Sequence, residues 1–256
     1  MKTLVTANQK GGVGKTSTLV HLAFDFLERG LKVAVIDLDT QANASYTLNE
    51  FRSGYLASQM FTMGSSELRT WFKDLPGGPF VRLIASDGPL ADMEKRTMSE
   101  AAASFKKSVK ALGDCGFDVC LIDTAPSLGV TMAAALFAAD FVLSPIELEA
   151  YSIQGIKRMV TTIANVRKSN PRLQFLGMVP SKVDSRNPRH GRHLEELERA
   201  YPQLMIPTGV GLRSSIADAL ASGVPVWKIK KTAARKAAQE VRALADHVFE
   251  KMEIAQ

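Results

Sequence analysis

Short apolar runs alternate along the chain with stretches in which apolar residues recur every three or four positions, the pattern of strand, helix and strand that builds a parallel sheet. Residues 2–6 predict a first strand, and Leu19, Leu22, Ala23, Phe26 and Leu27 then follow at helical spacing until Gly30 stops them. Residues 31–36, 117–122, 141–145 and 173–179 predict further strands, each separated from the next by room for a helix. The expectation is an α/β fold: one doubly wound domain over residues 1–256, with a mostly parallel sheet flanked by helices. Residues 50–98 are less regular, with Gly77, Gly78 and Pro79, then Gly88 and Pro89, marking turns. They read as an insertion-like segment on that sheet.

Composition narrows the class. With 256 residues, 46% hydrophobic and 23% charged, the chain has material for a sizeable core, which excludes intrinsic disorder as its default state. No apolar run approaches the roughly 18 to 20 residues that span a bilayer, and Thr6, Asn8 and Gln9 interrupt any secretory signal at the N-terminus. Two cysteines, Cys115 and Cys120, are too few for a disulfide framework. These features predict a cytoplasmic protein. The net charge of +6 is unevenly spread: residues 1–150 carry 14 Lys and Arg against 17 Asp and Glu, whereas residues 151–256 carry 18 against 9. A basic C-terminal part is the footprint of a polyanion-binding surface, or simply of a solvated one.

The candidate chemistry begins where the first strand ends. Lys10, Gly11, Gly12, Val13, Gly14, Lys15, Thr16 and Ser17 lie between that strand and the first helix. Glycines let successive backbone N–H groups turn toward phosphate oxygens, and a helix starting near Lys15 adds the positive end of its dipole. In such a loop Lys15 contacts the β and γ phosphates and the Thr16 hydroxyl ligates magnesium. The common spelling with Gly five residues before Gly14 fails, because that residue is Gln9. The bland alternative is a tight turn that uses glycine for packing, and the Lys15 and Thr16 pair weighs against it.

These residues resemble the deviant Walker A motif of the ParA/MinD ATPases, a class of P-loop NTPases, in having Lys10 one step before the double glycine. Residues 37–43 are similar to the family's second motif, residues 120–129 to its Walker B segment, and the likeness continues through residues 206–216. The pattern is most similar to the short plasmid-partition ATPases of the IncC type, which lack an N-terminal DNA-binding domain; with the phosphate loop at residue 10, none is expected here. The resemblance implies ATP and Mg2+ as cofactors, an ATP-dependent homodimer in which Lys10 reaches the partner's nucleotide, and weak hydrolysis stimulated by a ParB-like centromere-binding protein. It also implies binding of nonspecific DNA and location on the nucleoid. Asp37 and Asp39 follow the second strand and Asp123 ends the 117–122 run, so in a parallel sheet all three should converge on the loop. Asp123 then holds magnesium through water, Asp39 orients or deprotonates the attacking water, and Asp37 is magnesium-associated or structural. The family's Pro and Gly are replaced by Thr40 and Ala42, which predicts a looser or differently turned backbone after Asp39 and leaves open a nucleotide-locked switch with little hydrolysis.

Other features leave alternatives. Ser181, Lys182, Val183 and Asp184 follow a strand and resemble the guanine-reading motif of GTPases, whereas the wider resemblance favours adenine near residues 180–184 and Pro207. His190 and His193 could pair on a metal, or simply open a basic helix. Residues 151–172 hold Lys157, Arg158, Lys168 and two further arginines with no acid, and residues 228–242 hold Lys228, Lys230, Lys231, Arg235, Lys236 and Arg242 against Glu240 alone. Both read mostly as helix. On one face, and with Arg213, they would bind DNA phosphates without reading bases. MinD-like positioning ATPases instead end in a basic amphipathic membrane helix. Here the last nine residues carry two acids and one base, which disfavours the membrane.

Overall fold

The computed structural model describes residues 1–149 and 152–254. Eight strands form one sheet in the order β3-β4-β2-β5-β1-β6-β7-β8, with every pairing parallel. They are β1 (Lys2–Thr6), β2 (Lys32–Leu38), β3 (Arg52–Leu56), β4 (Phe80–Ala85), β5 (Val119–Thr124), β6 (Phe141–Glu147), β7 (Gln174–Val183) and β8 (Val210–Gly211). Among the described residues, eight α-helices connect them, α1 (Lys15–Glu28), α2 (Asn43–Thr47), α3 (Gln59–Thr62), α4 (Ser65–Trp71), α5 (Met98–Asp114), α6 (Val130–Ala138), α7 (Ser152–Arg167) and α8 (Pro188–Ala200), and two more, α9 (Ser214–Ala221) and α10 (Ala234–Lys251), follow β8.

Strand alternation sends successive side chains to opposite faces, and both faces are covered. Val5, Ala34, Ile36, Cys120 and Ile122 pack on one side beneath α5, α6 and α7. Leu4, Val33, Val35, Val119 and Leu121 pack on the other beneath α1 and α10. Burial on both faces explains why these strands read as nearly continuous apolar runs.

Two sequence expectations are corrected here. Residues 50–98 are not an insertion on the sheet; they contribute β3 and β4, its edge strand and the next one in, joined by α3 and α4. Their register shifts between Arg52 and Leu56, so the alternation that betrays a strand is broken. The second basic stretch is mostly helical, as expected: after a 3-10 turn at Val226–Lys228 the chain enters α10 at Ala234. The two basic stretches do not, however, share a face. Met159, Ile163 and Val166 anchor α7 on one side of the sheet, while Leu244, Ala245 and Val248 anchor α10 on the other. Tyr151, at the start of the first basic stretch, and Ala255 and Gln256, at the end of the tail, lie outside the described residues.

Candidate functional site

β1 lies between β5 and β6 at the centre of the sheet, and the glycine-rich loop leaves its carboxyl end. Gly14 caps α1 with φ +94°, a left-handed conformation that side chains rarely adopt, and an added Cβ would lie 2.6 Å from the Ser181 hydroxyl. No side chain caps this helix. Lys15, Thr16 and Ser17 at its start line the cleft, where an anion would satisfy their N–H groups.

The strand register brings the acidic residues together. Thr6 pairs with Asp123 across β1 and β5, and Asp37 pairs with Asp123 across β2 and β5. Asp123 is fully buried and accepts hydrogen bonds from the Thr6 hydroxyl at 3.1 Å and the Thr16 hydroxyl at 2.6 Å. Burial, with the nearby Asp37 charge, pushes its pKa up to about 7 against the pull of those hydroxyls and of Lys15. Lys15 is buried as well, its Nζ 3.3 Å from the Lys10 carbonyl. Burial lowers its pKa, and the charges of Asp123 and Asp39 oppose that.

Gly11, Gly12, Gly14, Lys15, Thr16, Ser17, Asp39 and Lys182 line one cleft of about 370 Å3. Val13 is buried behind the loop. A glycine-lined cradle, a buried ammonium and a hydroxyl paired to a carboxylate form a donor set that fits a nucleotide polyphosphate with one divalent cation. No group of three or more His, Cys, Asp or Glu poised for a metal occurs among the described residues, so a cation there would draw on hydroxyl, water and phosphate oxygens.

Several expected site residues sit elsewhere. Asp37 does not line the cleft: one carboxylate oxygen accepts the Asp39 N–H at 3.1 Å, and the other accepts the Ser45 N–H and hydroxyl at 2.8 and 2.7 Å. Of its two expected uses, the structure presents the structural one, fixing the turn that aims Asp39. Asp184 points both oxygens at Arg186, at 3.0 and 3.2 Å, and neither it nor Pro207 lines the cleft. His190 accepts the Asp184 N–H and His193 lies beside Glu196, so no metal pair forms between them. Arg213 is held by Glu240 through two bonds of 3.0 and 2.5 Å, Lys231 pairs with Asp218 at 2.7 Å, and Arg242 bonds Asp25 and Glu28. Lys228, Lys230, Arg235 and Lys236 remain exposed.

The backbone after Asp39 is ordered rather than loose. Gln41 N–H donates to the Asp39 carboxylate at 2.9 Å, Ala42 N–H donates to the Asp39 carbonyl at 2.8 Å, and Ala42 adopts φ 56°. The alanine thus occupies a conformation suited to glycine. Lys10 folds back on its own chain, its Nζ 2.8 Å from Glu147 and 2.6 Å from Glu149. Burial pulls its pKa down, but the two carboxylates outweigh that and leave it raised. Glu147 also meets Lys182 at 3.1 Å. Asn43, Tyr46, Thr47, Pro126, Leu220 and Ala221 complete the cleft. Asn43 and Pro126 fall within the two motif segments, whereas Tyr46, Thr47, Leu220 and Ala221 escaped sequence reasoning because they depend on how α2 and α9 dock. Tyr46, 72% exposed at the mouth, carries no motif at all.

A glycine loop after the central strand of a parallel sheet, with Lys15, Thr16 and Asp39 lining the same cleft and Asp123 buried behind Thr16, defines a P-loop nucleotide-binding protein. A family model described as an AAA domain matches residues 1–175. Protein IncC of Escherichia coli is 70% identical over 261 residues, an alignment covering all of this chain and 71% of that protein. The chromosome-partitioning ATPase Soj of Thermus thermophilus is 29% identical, with 100% of this chain and 98% of that one aligned. Cobyrinic acid a,c-diamide synthase from Mycobacterium smegmatis, solved with an ATP analogue and magnesium, superposes with a TM-score of 0.77 at 25% identity, covering 99% of this chain and 96% of that one. The chain belongs to the ParA/MinD family of deviant Walker A ATPases and, within it, to the IncC-type partition proteins.

Proposed function

We propose that this chain is a magnesium-dependent ATPase whose nucleotide state switches its hold on DNA during plasmid or chromosome partition. The observation that carries the reading is that Lys15, Thr16 and Asp39 line one glycine-lined cleft, with Asp123 buried behind Thr16 and bonded to its hydroxyl. When bound, Mg-ATP supplies the phosphoanhydride bond to be cleaved and the cation that screens its charge. Gly11 to Ser17 cradle the phosphates with backbone N–H groups, and the Lys15 ammonium neutralises the β and γ oxygens. The Thr16 hydroxyl, now bonded to Asp123, would hold the cation directly and Asp123 would hold it through water. Asp39, aimed by its turn, orients or deprotonates the attacking water. Asp184, the acceptor that guanine recognition would use, lies outside the cleft and faces Arg186, which favours ATP over GTP.

Lys10 is the residue that joins two copies, leaving Glu147 and Glu149 for the partner's nucleotide. Surface ion pairs of this kind are worth at most about 1 kcal/mol each, so its release opposes dimerisation only weakly. The dimer holds duplex DNA of any sequence on the exposed Lys228, Lys230, Arg235 and Lys236 surfaces, and a ParB-like partner stimulates an otherwise slow hydrolysis that ends the cycle. This places the protein on the nucleoid in the cytoplasm. No helix among the described residues is long and apolar enough to cross a membrane. Calorimetry with Mg-ATP and Mg-GTP tests the site: wild type is expected to prefer ATP and Lys15→Ala to lose it. Unchanged ATP affinity in the variant, or a preference for GTP, refutes the assignment.

A further inference from the structure

His21 lies one helical turn beyond the phosphate loop, on α1, and is 1% exposed. Both ring nitrogens are engaged. Nδ1 is 2.7 Å from the Ser17 carbonyl, which can only accept, so Nδ1 carries the proton. Nε2 then accepts the Val226 N–H at 3.2 Å, across 205 residues of chain. The ring meets Trp227 edge to face, with centroids 6.0 Å apart. Trp227 donates its indole N–H to Glu28 at 2.8 Å, and the Arg242 guanidinium stacks on it 3.6 Å from the ring centroid while bonding Asp25 and Glu28. One residue further along the chain, the exposed lysines begin at Lys228.

The phosphate loop and the basic segment are therefore joined through one imidazole. Ser17 lines the nucleotide cleft, its carbonyl is bonded to His21, and His21 is bonded to the backbone that presents Lys228 and Lys230. The same 3-10 turn packs against α9, whose Leu220 and Ala221 line the cleft from the far side. Coupling between two sites needs packed groups whose arrangement both sites bias, and this bridge is short, buried and hydrogen-bonded at both ends.

We propose that His21 is a positioning residue that ties the basic segment to the nucleotide site, so that ATP binding at the phosphate loop sets how Lys228, Lys230, Arg235 and Lys236 are presented to DNA. The inference rests on the DNA-switch reading above. His21→Phe keeps the ring against Trp227 and removes both hydrogen bonds, and Val226→Pro removes the donor from the opposite end. The experiment titrates a random-sequence duplex with and without Mg-ATP, alongside calorimetry of ATP itself. In wild type ATP tightens DNA binding; in either variant that gain falls at least tenfold while ATP affinity stays within about threefold.

A spectroscopic arm separates coupling from loss of structure. The chain has two tryptophans, so in a Trp71→Phe background emission reports Trp227 alone. ATP shifts that emission when His21 is present and leaves it unmoved in His21→Phe. If His21→Phe fails to fold, Val226→Pro carries the same comparison. A folded variant that keeps the wild-type ATP gain and the Trp227 response overturns the role of His21. Wild-type DNA binding that ignores ATP overturns the underlying switch instead.

Discussion

His21 also makes the fold itself sensitive to acid, by an amount that can be worked out. Burial pushes its pKa from the ordinary 6.5 down to about 4, opposed by the Ser17 carbonyl. A second proton would have to sit on Nε2, where the Val226 N–H already points. The unfolded chain takes up a proton near pH 6.5 and the folded one resists until about 4, so this stability is present above 6.5 and is lost as pH falls through that window. At about 1.4 kcal/mol per tenfold change, the whole window is worth about 3 kcal/mol and the interval from pH 7 to 5 about 2 kcal/mol. Urea unfolding of wild type and His21→Phe at pH 7, 6 and 5 isolates this contribution, because the other three histidines and the carboxylates are common to both. Wild type should lose about 2 kcal/mol more than the variant over that range. Parallel losses in the two proteins would show that His21 takes its proton as readily folded as unfolded, and would refute the buried neutral bridge.

Three further outcomes are expected. Asp39→Ala should bind ATP and dimerise in sedimentation yet fail to release phosphate, because water activation matters only in the transition state; wild-type turnover would move that role to another residue. Ala42→Gly should raise stability by about 0.5–1 kcal/mol in urea, since relief of about 1–2 kcal/mol of left-handed strain outweighs the extra entropy of an unfolded glycine; a loss would mean that Ala42 sits there without strain. Changing Lys228, Lys230, Arg235 and Lys236 together to Glu should abolish DNA binding and leave ATP-dependent dimerisation intact, and DNA binding that survives would move the surface elsewhere. Lys231 and Arg213 are left out because Asp218 and Glu240 already engage them.

The phosphate loop was legible because its chemistry is local: glycines, lysine and threonine act within eight consecutive residues whose spacing is the signal. Asp39 and Asp123 were legible from the rule that ligands bind beyond the strand ends. Asp37 has the same position in the register, yet its carboxylate is taken by Ser45 eight residues on, a contact no spacing reveals. The basic segments illustrate the other limit. Composition counts charges but does not assign them to a face, and only the docking of α7 and α10 on opposite sides of the sheet separates them. Arg213, Lys231 and Arg242 looked like free cations for a related reason, since Glu240, Asp218 and Asp25 meet them only in the folded chain. His21 carried no signal at all. A lone histidine on a buried helix face reads as core, and its partner lies 205 residues away.

The central claim is that nucleotide at the phosphate loop controls the grip on DNA. Fluorescence anisotropy of a labelled random-sequence duplex, titrated with the full chain under Mg-ATP, Mg-ADP and no nucleotide at two salt concentrations, tests it most directly. Binding should require Mg-ATP and weaken steeply with salt, with a log-log slope near −0.9 for each phosphate contact made. Equal affinity in all three nucleotide conditions, or affinity indifferent to salt, would contradict the account.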